Sequence, residues 1–87
     1  MIELKLDAVN AATRSALHDV FAQTLSLPEW YGRNLDALHD CLTEQCEDVR
    51  ITVAAEELIG TLGERYVRQL LRLLRDCAEE NPHVTLG

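Results

Sequence analysis

Four acids recur at helical spacing in the middle of this sequence: Asp36, Asp40, Glu44 and Glu47, with His39 at their flank. At about 100° per residue they gather on one face, while Leu35, Leu38 and Leu42 gather on the other. No lysine or arginine stands between Asn34 and Asp48. Like charges at i, i+4 cost on the order of 0.2–0.5 kcal/mol per pair, and Asp36–Asp40 and Asp40–Glu44 both incur that cost. A surface shaped only for stability interleaves basic residues. Three chemistries fit such a face: docking of a cationic partner, a divalent metal on Asp36-x-x-His39-Asp40, or acid–base hydrolysis by paired carboxylates.

The last two are poorly served. Three ligands crowded on one helix, with no fourth in sequence reach, make a weak metal site. A short chain has little room for a substrate cleft, and nothing supplies a second, desolvated acid. Acidic faces are often only solvated surface, and Asp36 suits the first helical turn because it faces the positive end of the dipole. That account leaves Asp40 and Glu44 unexplained. Beside them stands Trp30-Tyr31-Gly32, which holds the only tryptophan of the chain. Aromatic side chains next to a desolvatable charge cluster are the usual anchors of protein interfaces, although Trp30 capping the core is the plainer alternative.

Other reactive residue types are less telling. Cys41, Cys46 and Cys77 are odd in number and lack metal-ligand spacing, which suits reduced thiols. Cys41 and Cys77 fall among apolar residues as small core hydrophobes, with no base placed to make either a nucleophile. Arg65, Arg68, Arg72 and Arg75 form a basic stripe, half of all basic residues. Arg72 precedes Asp76 by four positions and Arg75 precedes Glu79 likewise, so the stripe reads as ordinary helix-surface pairing rather than a nucleic-acid face.

The elements that must position these residues follow from periodicity. Residues 2–6 alternate as a strand. Asn10 is placed to cap a helix through about Leu25, with Leu17, Val20, Phe21 and Leu25 on one side. Pro28 opens an ordered loop, Leu27 to Arg33. Asn34 caps the acidic helix, which runs to about Gln45. Residues 49–54 make a second strand, Glu56 to Ile59 a short helix broken by Gly60, and Glu64 to Glu79 the longest helix. Asn81-Pro82 stops it before a last strand, His83 to Leu86. Strands separated by helices predict an α/β fold: one domain over residues 1–87, a three-stranded parallel sheet packed with about four helices.

The chain has 87 residues, 15 acidic and 8 basic, for a net charge of −7. That balance opposes direct nucleic-acid binding and favours a cationic partner. Five of the 15 acids fall between Asp36 and Asp48. No apolar run approaches the ~18 residues that span a bilayer, and the start lacks a signal-peptide layout, so a cytoplasmic protein without a membrane role is expected.

Residues 27–43, LPEWYGRNLDALHDCLT, resemble the signature of the barstar family, small intracellular inhibitors of a secreted bacterial ribonuclease. The aromatic loop, the glycine, the asparagine cap and the two aspartates fall in register. Similarity over the rest is weaker but collinear. The resemblance implies the same small parallel-sheet fold, no cofactor and no catalysis. It implies an acidic helix and preceding loop pushed into the cationic active site of a basic bacterial ribonuclease, with carboxylates in place of RNA phosphates. Asp40 would be the principal phosphate mimic and Asp36 a second charged contact. Trp30 would pack against the catalytic histidine, with Gly32 and Asn34 shaping its loop and Thr43 closing the motif. Asp76, one methylene shorter than the family's usual glutamate, would add a further acid, assisted by Glu80. His39, in place of an aromatic contact, and Glu44-Gln45, in place of Gly-Trp, depart from the archetype and point to a different target. A monomer in a 1:1 complex is expected. The alternative is an acidic protein-interaction module of the same fold with a non-nuclease or changed partner.

Overall fold

The computed structural model describes residues 1–87. Seven elements follow one another: β1 (Ile2–Leu6), α1 (Arg14–Thr24), α2 (Leu35–Thr43), β2 (Val49–Val53), α3 (Ala55–Leu62), α4 (Glu64–Glu80) and β3 (Val84–Leu86). The strands form one parallel sheet in the order β1-β2-β3. Ile2 pairs with Val49, Leu4 with Ile51, and Val49 with Val84. Leu4, Leu6, Val49, Ile51 and Val84 are buried, while Glu3, Lys5, Arg50 and Thr85 are exposed. The period-two pattern thus gives the sheet one apolar face and one polar face. Leu17 and Phe21 of α1, Leu38 and Leu42 of α2, and Leu70 and Leu74 of α4 complete the core. No helix is long and apolar enough to cross a membrane.

The α/β architecture and element order agree with the periodicities; several boundaries do not. Thr13, not Asn10, caps α1, accepting from the Ala16 N–H at 3.1 Å. Asn10 closes the turn after β1 instead: its Oδ1 accepts from the Asp7 N–H and its Nδ2 donates to the Lys5 carbonyl. Asp7 Oδ1 in turn accepts from the N–H groups of Val9 and Asn10, so a turn outcompetes the helix there. Gly60 does not break α3. Leu58 and Leu62, four apart, are both buried, and keeping them on one face outweighs the ~1 kcal/mol cost of a helical glycine. The chain turns at Gly63, whose φ of 88° is the left-handed region that glycine occupies without penalty.

The arginine pairing also differs. Arg68 pairs with Glu64 at 2.5 Å, whereas neither Arg72–Asp76 nor Arg75–Glu79 forms an ion pair. The acid-first order is the favoured one on a helix; the two unformed pairs have it reversed. Cys77 is fully buried, and burial pushes its thiol up to about 11. Cys41 is only half-buried. Its thiol is raised by burial and then by Glu44 and Asp40, which keeps it from acting as a thiolate.

Candidate partner-binding site

The loop before α2 is built by alternation. Ser26, at a left-handed φ of 52°, ends the α1 region, and the Leu27 N–H returns to the Ala22 carbonyl. The Tyr31 N–H then bonds to the Pro28 carbonyl at 3.0 Å. From there the side chains take opposite sides: Trp30 is 80% exposed and Tyr31 6%. Trp30 does not cap the core; Tyr31 takes that place. Its hydroxyl lies 2.6 Å from His18 Nδ1, and the Tyr66 hydroxyl lies 3.3 Å from His18 Nε2. The imidazole, 3% exposed, is thus bonded at both nitrogens. Burial, and then the nearby Arg33, lower its pKa; burial raises those of Tyr31 and Tyr66, so the trio is neutral at pH 7.

Arg33 gives the loop a second tether. It sits at a left-handed φ of 54° and donates from one terminal nitrogen to the Ser15 carbonyl at 2.9 Å and to Asp19 Oδ1 at 2.6 Å. Both anchors reach α1, so that helix is the template on which the loop is laid. Gly32 then brings the chain close to α2: a Cβ there would stand 3.3 Å from both Ala37 Cβ and Asn34 Nδ2. Asn34 caps α2, its Oδ1 accepting from the Ala37 N–H at 2.8 Å while Nδ2 reaches the Gly32 carbonyl.

On α2, Asp36, Asp40 and Glu44 are exposed, opposite the buried Leu38 and Leu42; Leu35 is half-buried. Glu47 lies beyond the helix and so is not part of its face, because the helix ends at Thr43 with Glu44 as its cap residue. The cause lies at the far end of α4. Asn81, almost fully buried, donates from Nδ2 to the carbonyls of Leu42 and Gln45, both at 2.9 Å, and so satisfies and turns the end of α2. Thr43 donates its hydroxyl to the Asp40 carbonyl at 2.9 Å, facing its own helix.

Two adjoining clefts border the acidic face. One, of about 370 Å³, is walled by Trp30, Gly32, Asp40 and Glu44. The other, of about 460 Å³, lies between α2 and α4 and brings Asn34, Asp36 and His39 together with Arg72 and Asp76. Glu80 joins through His39, whose Nε2 is 3.5 Å from Glu80 Oε2 and whose Nδ1 is 3.9 Å from Asp40 Oδ1. Acids from positions 36 to 44 and 76 to 80 thereby share one side of the molecule. No group of three or more His, Cys, Asp and Glu side chains converges as a metal site would require.

Sequence reasoning missed His18, Tyr66, Asp19 and Asn81 as supports of this surface. No local spacing announces them, since their contacts span 13 to 48 positions. The chain as a whole is similar to known proteins. A family model described as Barstar (barnase inhibitor) matches residues 1–85. A Bacillus subtilis (strain 168) protein named "Putative ribonuclease inhibitor YrdF" is 33% identical over 82 residues, 92% of this chain and 89% of that protein. Matched along almost its whole length, the chain belongs to the barstar family.

Proposed function

We propose that this protein is an intracellular inhibitor of a basic bacterial ribonuclease and acts by presenting α2 and the Trp30 loop to the enzyme's cationic active site. A barstar-family chain is an inhibitor and not an enzyme. The observation that supports the mechanism best is the exposed Trp30 ring at the edge of a cleft it shares with Asp40 and Glu44, a cleft with no lysine or arginine in its lining. An aromatic of this size left in water beside two like charges suits a surface that is covered by a partner.

In this reading Asp40 takes the place of an RNA phosphate against arginine and histidine groups of the nuclease, and Asp36 makes a second charged contact. Trp30 packs on the catalytic histidine. Gly32 and Asn34 set the loop's approach, and Thr43 supports the Asp40 turn from behind. Asp76 and Glu80 extend the acidic surface from α4, with His39 between Asp40 and Glu80. Glu44 and His39, where the archetype has other residues, tune the choice of nuclease. The protein acts in the cytoplasm as a monomer, one per enzyme, without a cofactor, a membrane or direct contact with RNA.

Mixing purified protein with the cognate and archetypal bacterial ribonucleases and following RNA cleavage tests this. Inhibition saturating at one equivalent is expected. Full cleavage and no complex with any nuclease of the same genome would instead favour an acidic module of this fold with a changed partner.

A further inference from the structure

Arg14, Arg65, Tyr66 and Gln69 line a third cleft of about 340 Å³, on the opposite side of Gln69 from the one that holds Asp36 and Asp76. No carboxylate lines it. The ion pairs made by arginines in this chain are Arg33–Asp19 and Arg68–Glu64, and the side chain of neither Arg14 nor Arg65 takes part in one or in a hydrogen bond. Two guanidinium groups without an acidic partner thus border one hollow.

The hollow is also partly pre-ordered. The Arg14 guanidinium lies 4.4 Å above the centroid of the Tyr66 ring, a cation–π contact that restrains its long side chain. The ring itself is buried, and its hydroxyl points inward to His18, so it is a fixed wall and not a mobile lid. A guanidinium restrained by stacking keeps its edge N–H donors for a ligand. Gln69 adds an amide donor at the rim.

We infer that this cleft is a binding site for a phosphate group, carried by inorganic phosphate or by a phosphate monoester such as a nucleoside 5′-monophosphate. Two guanidinium forks present more N–H donors than one planar carboxylate can accept, whereas a tetrahedral dianion accepts from both. The volume falls at the lower end of the ~300–1,000 Å³ typical of small-molecule sites, enough for the phosphoryl group and part of what it is attached to. The site is independent of the acidic face. It stands or falls without a nuclease, and occupancy tightens the Tyr66 wall to which His18 and Tyr31 are bonded.

The test uses the whole protein. Inorganic phosphate and uridine 5′-monophosphate are titrated separately while the arginine Nε–H NMR signals and the melting temperature are followed, with sodium chloride matched for ionic strength. Saturable shifts at two arginine signals and a melting temperature raised above the chloride control are expected for both probes. Tighter binding of the nucleotide would assign the natural ligand to the monoester; equal binding would assign recognition to the phosphoryl group alone. Arg65→Gln, at an exposed position, should keep the fold and weaken binding about tenfold, the loss of one charge-assisted contact. Gln69→Glu, which places a carboxylate in the cleft, should abolish it. Arg14→Gln alone is less clean, because it also removes the stacking on Tyr66. Shifts that follow ionic strength and are matched by chloride, or saturable binding that survives both Arg65→Gln and Gln69→Glu, would overturn the assignment.

Discussion

Trp30 and Tyr31 are adjacent, of similar chemistry, and opposite in placement. One ring stands in water at the edge of the acidic face; the other is sunk against α1 with its hydroxyl on His18. The same alternation continues, with Gly32 turned toward α2 and Arg33 returned to Ser15 and Asp19. A presented surface and its foundation thus interleave residue by residue along one loop. The contrast teaches that stability and recognition are separable here at single-residue resolution. A change on the presented side should alter affinity and leave the fold alone, and a change on the anchored side should do the reverse.

The largest expected effect lies on the presented side. Asp40→Ala should weaken nuclease binding by about 2–5 kcal/mol, because it leaves buried cationic groups of the enzyme without their partner. The archetypal complex of this family contributes to that range, so it is not independent support. Glu56→Ala, an exposed acid in the first turn of α3 and remote from the site, is the matched control. Calorimetry giving the same affinity for both variants would break the division. Trp30→Ala should follow, with an affinity loss of about 2 kcal/mol typical of an aromatic anchor and a melting temperature unchanged to within ~0.5 kcal/mol of stability. A Trp30→Ala protein that unfolds more easily in urea would show that the ring supports the core after all.

Tyr31→Phe probes the other side. It keeps the buried ring and removes the hydroxyl bonded to His18 Nδ1, leaving that nitrogen unpaired in a site closed to water. The cost should be about 1–3 kcal/mol of stability, read from the urea midpoint, with binding of the folded protein intact. If affinity falls and the midpoint holds, the foundation and the presented surface are not separable here.

The two sides also differed in how legible they were. Alternation, the Asn34 cap and the i, i+4 acids are short-range patterns, so the acidic helix, its N-terminus and the three parallel strands of an α/β fold could be read directly. The register of the loop could not. Two neighbouring aromatics declare that one is inside, but which one depends on His18 lying where α1 passes, and that is a tertiary fact. The end of α2 was misplaced for the same reason, since the groups that terminate it come from Asn81, some forty positions on. Asn10 and Gly60 misled in the opposite direction. Each has a strong local preference, and each was overruled, by the Asp7 turn and by the paired burial of Leu58 and Leu62.

The smallest effect is also the most selective. His18 has a folded-state pKa below its ordinary 6.5, because burial and then Arg33 disfavour the imidazolium. Well above pH 6.5 the residue is neutral in both folded and unfolded chains and contributes no pH dependence. As the pH falls through 6.5 the unfolded chain takes up a proton that the folded one refuses, so stability must decline. The His18 contribution is isolated as the difference between wild type and His18→Gln. Urea midpoints at pH 7.5, 6.5 and 5.5 should show wild type losing ground relative to His18→Gln as the pH drops. Trp30→Ala should track wild type throughout, because the exposed ring makes no contact with the imidazole's titration. Parallel curves for wild type and His18→Gln would mean that the buried trio carries no proton-linked stability, and the anchoring by Tyr31 would then be independent of pH.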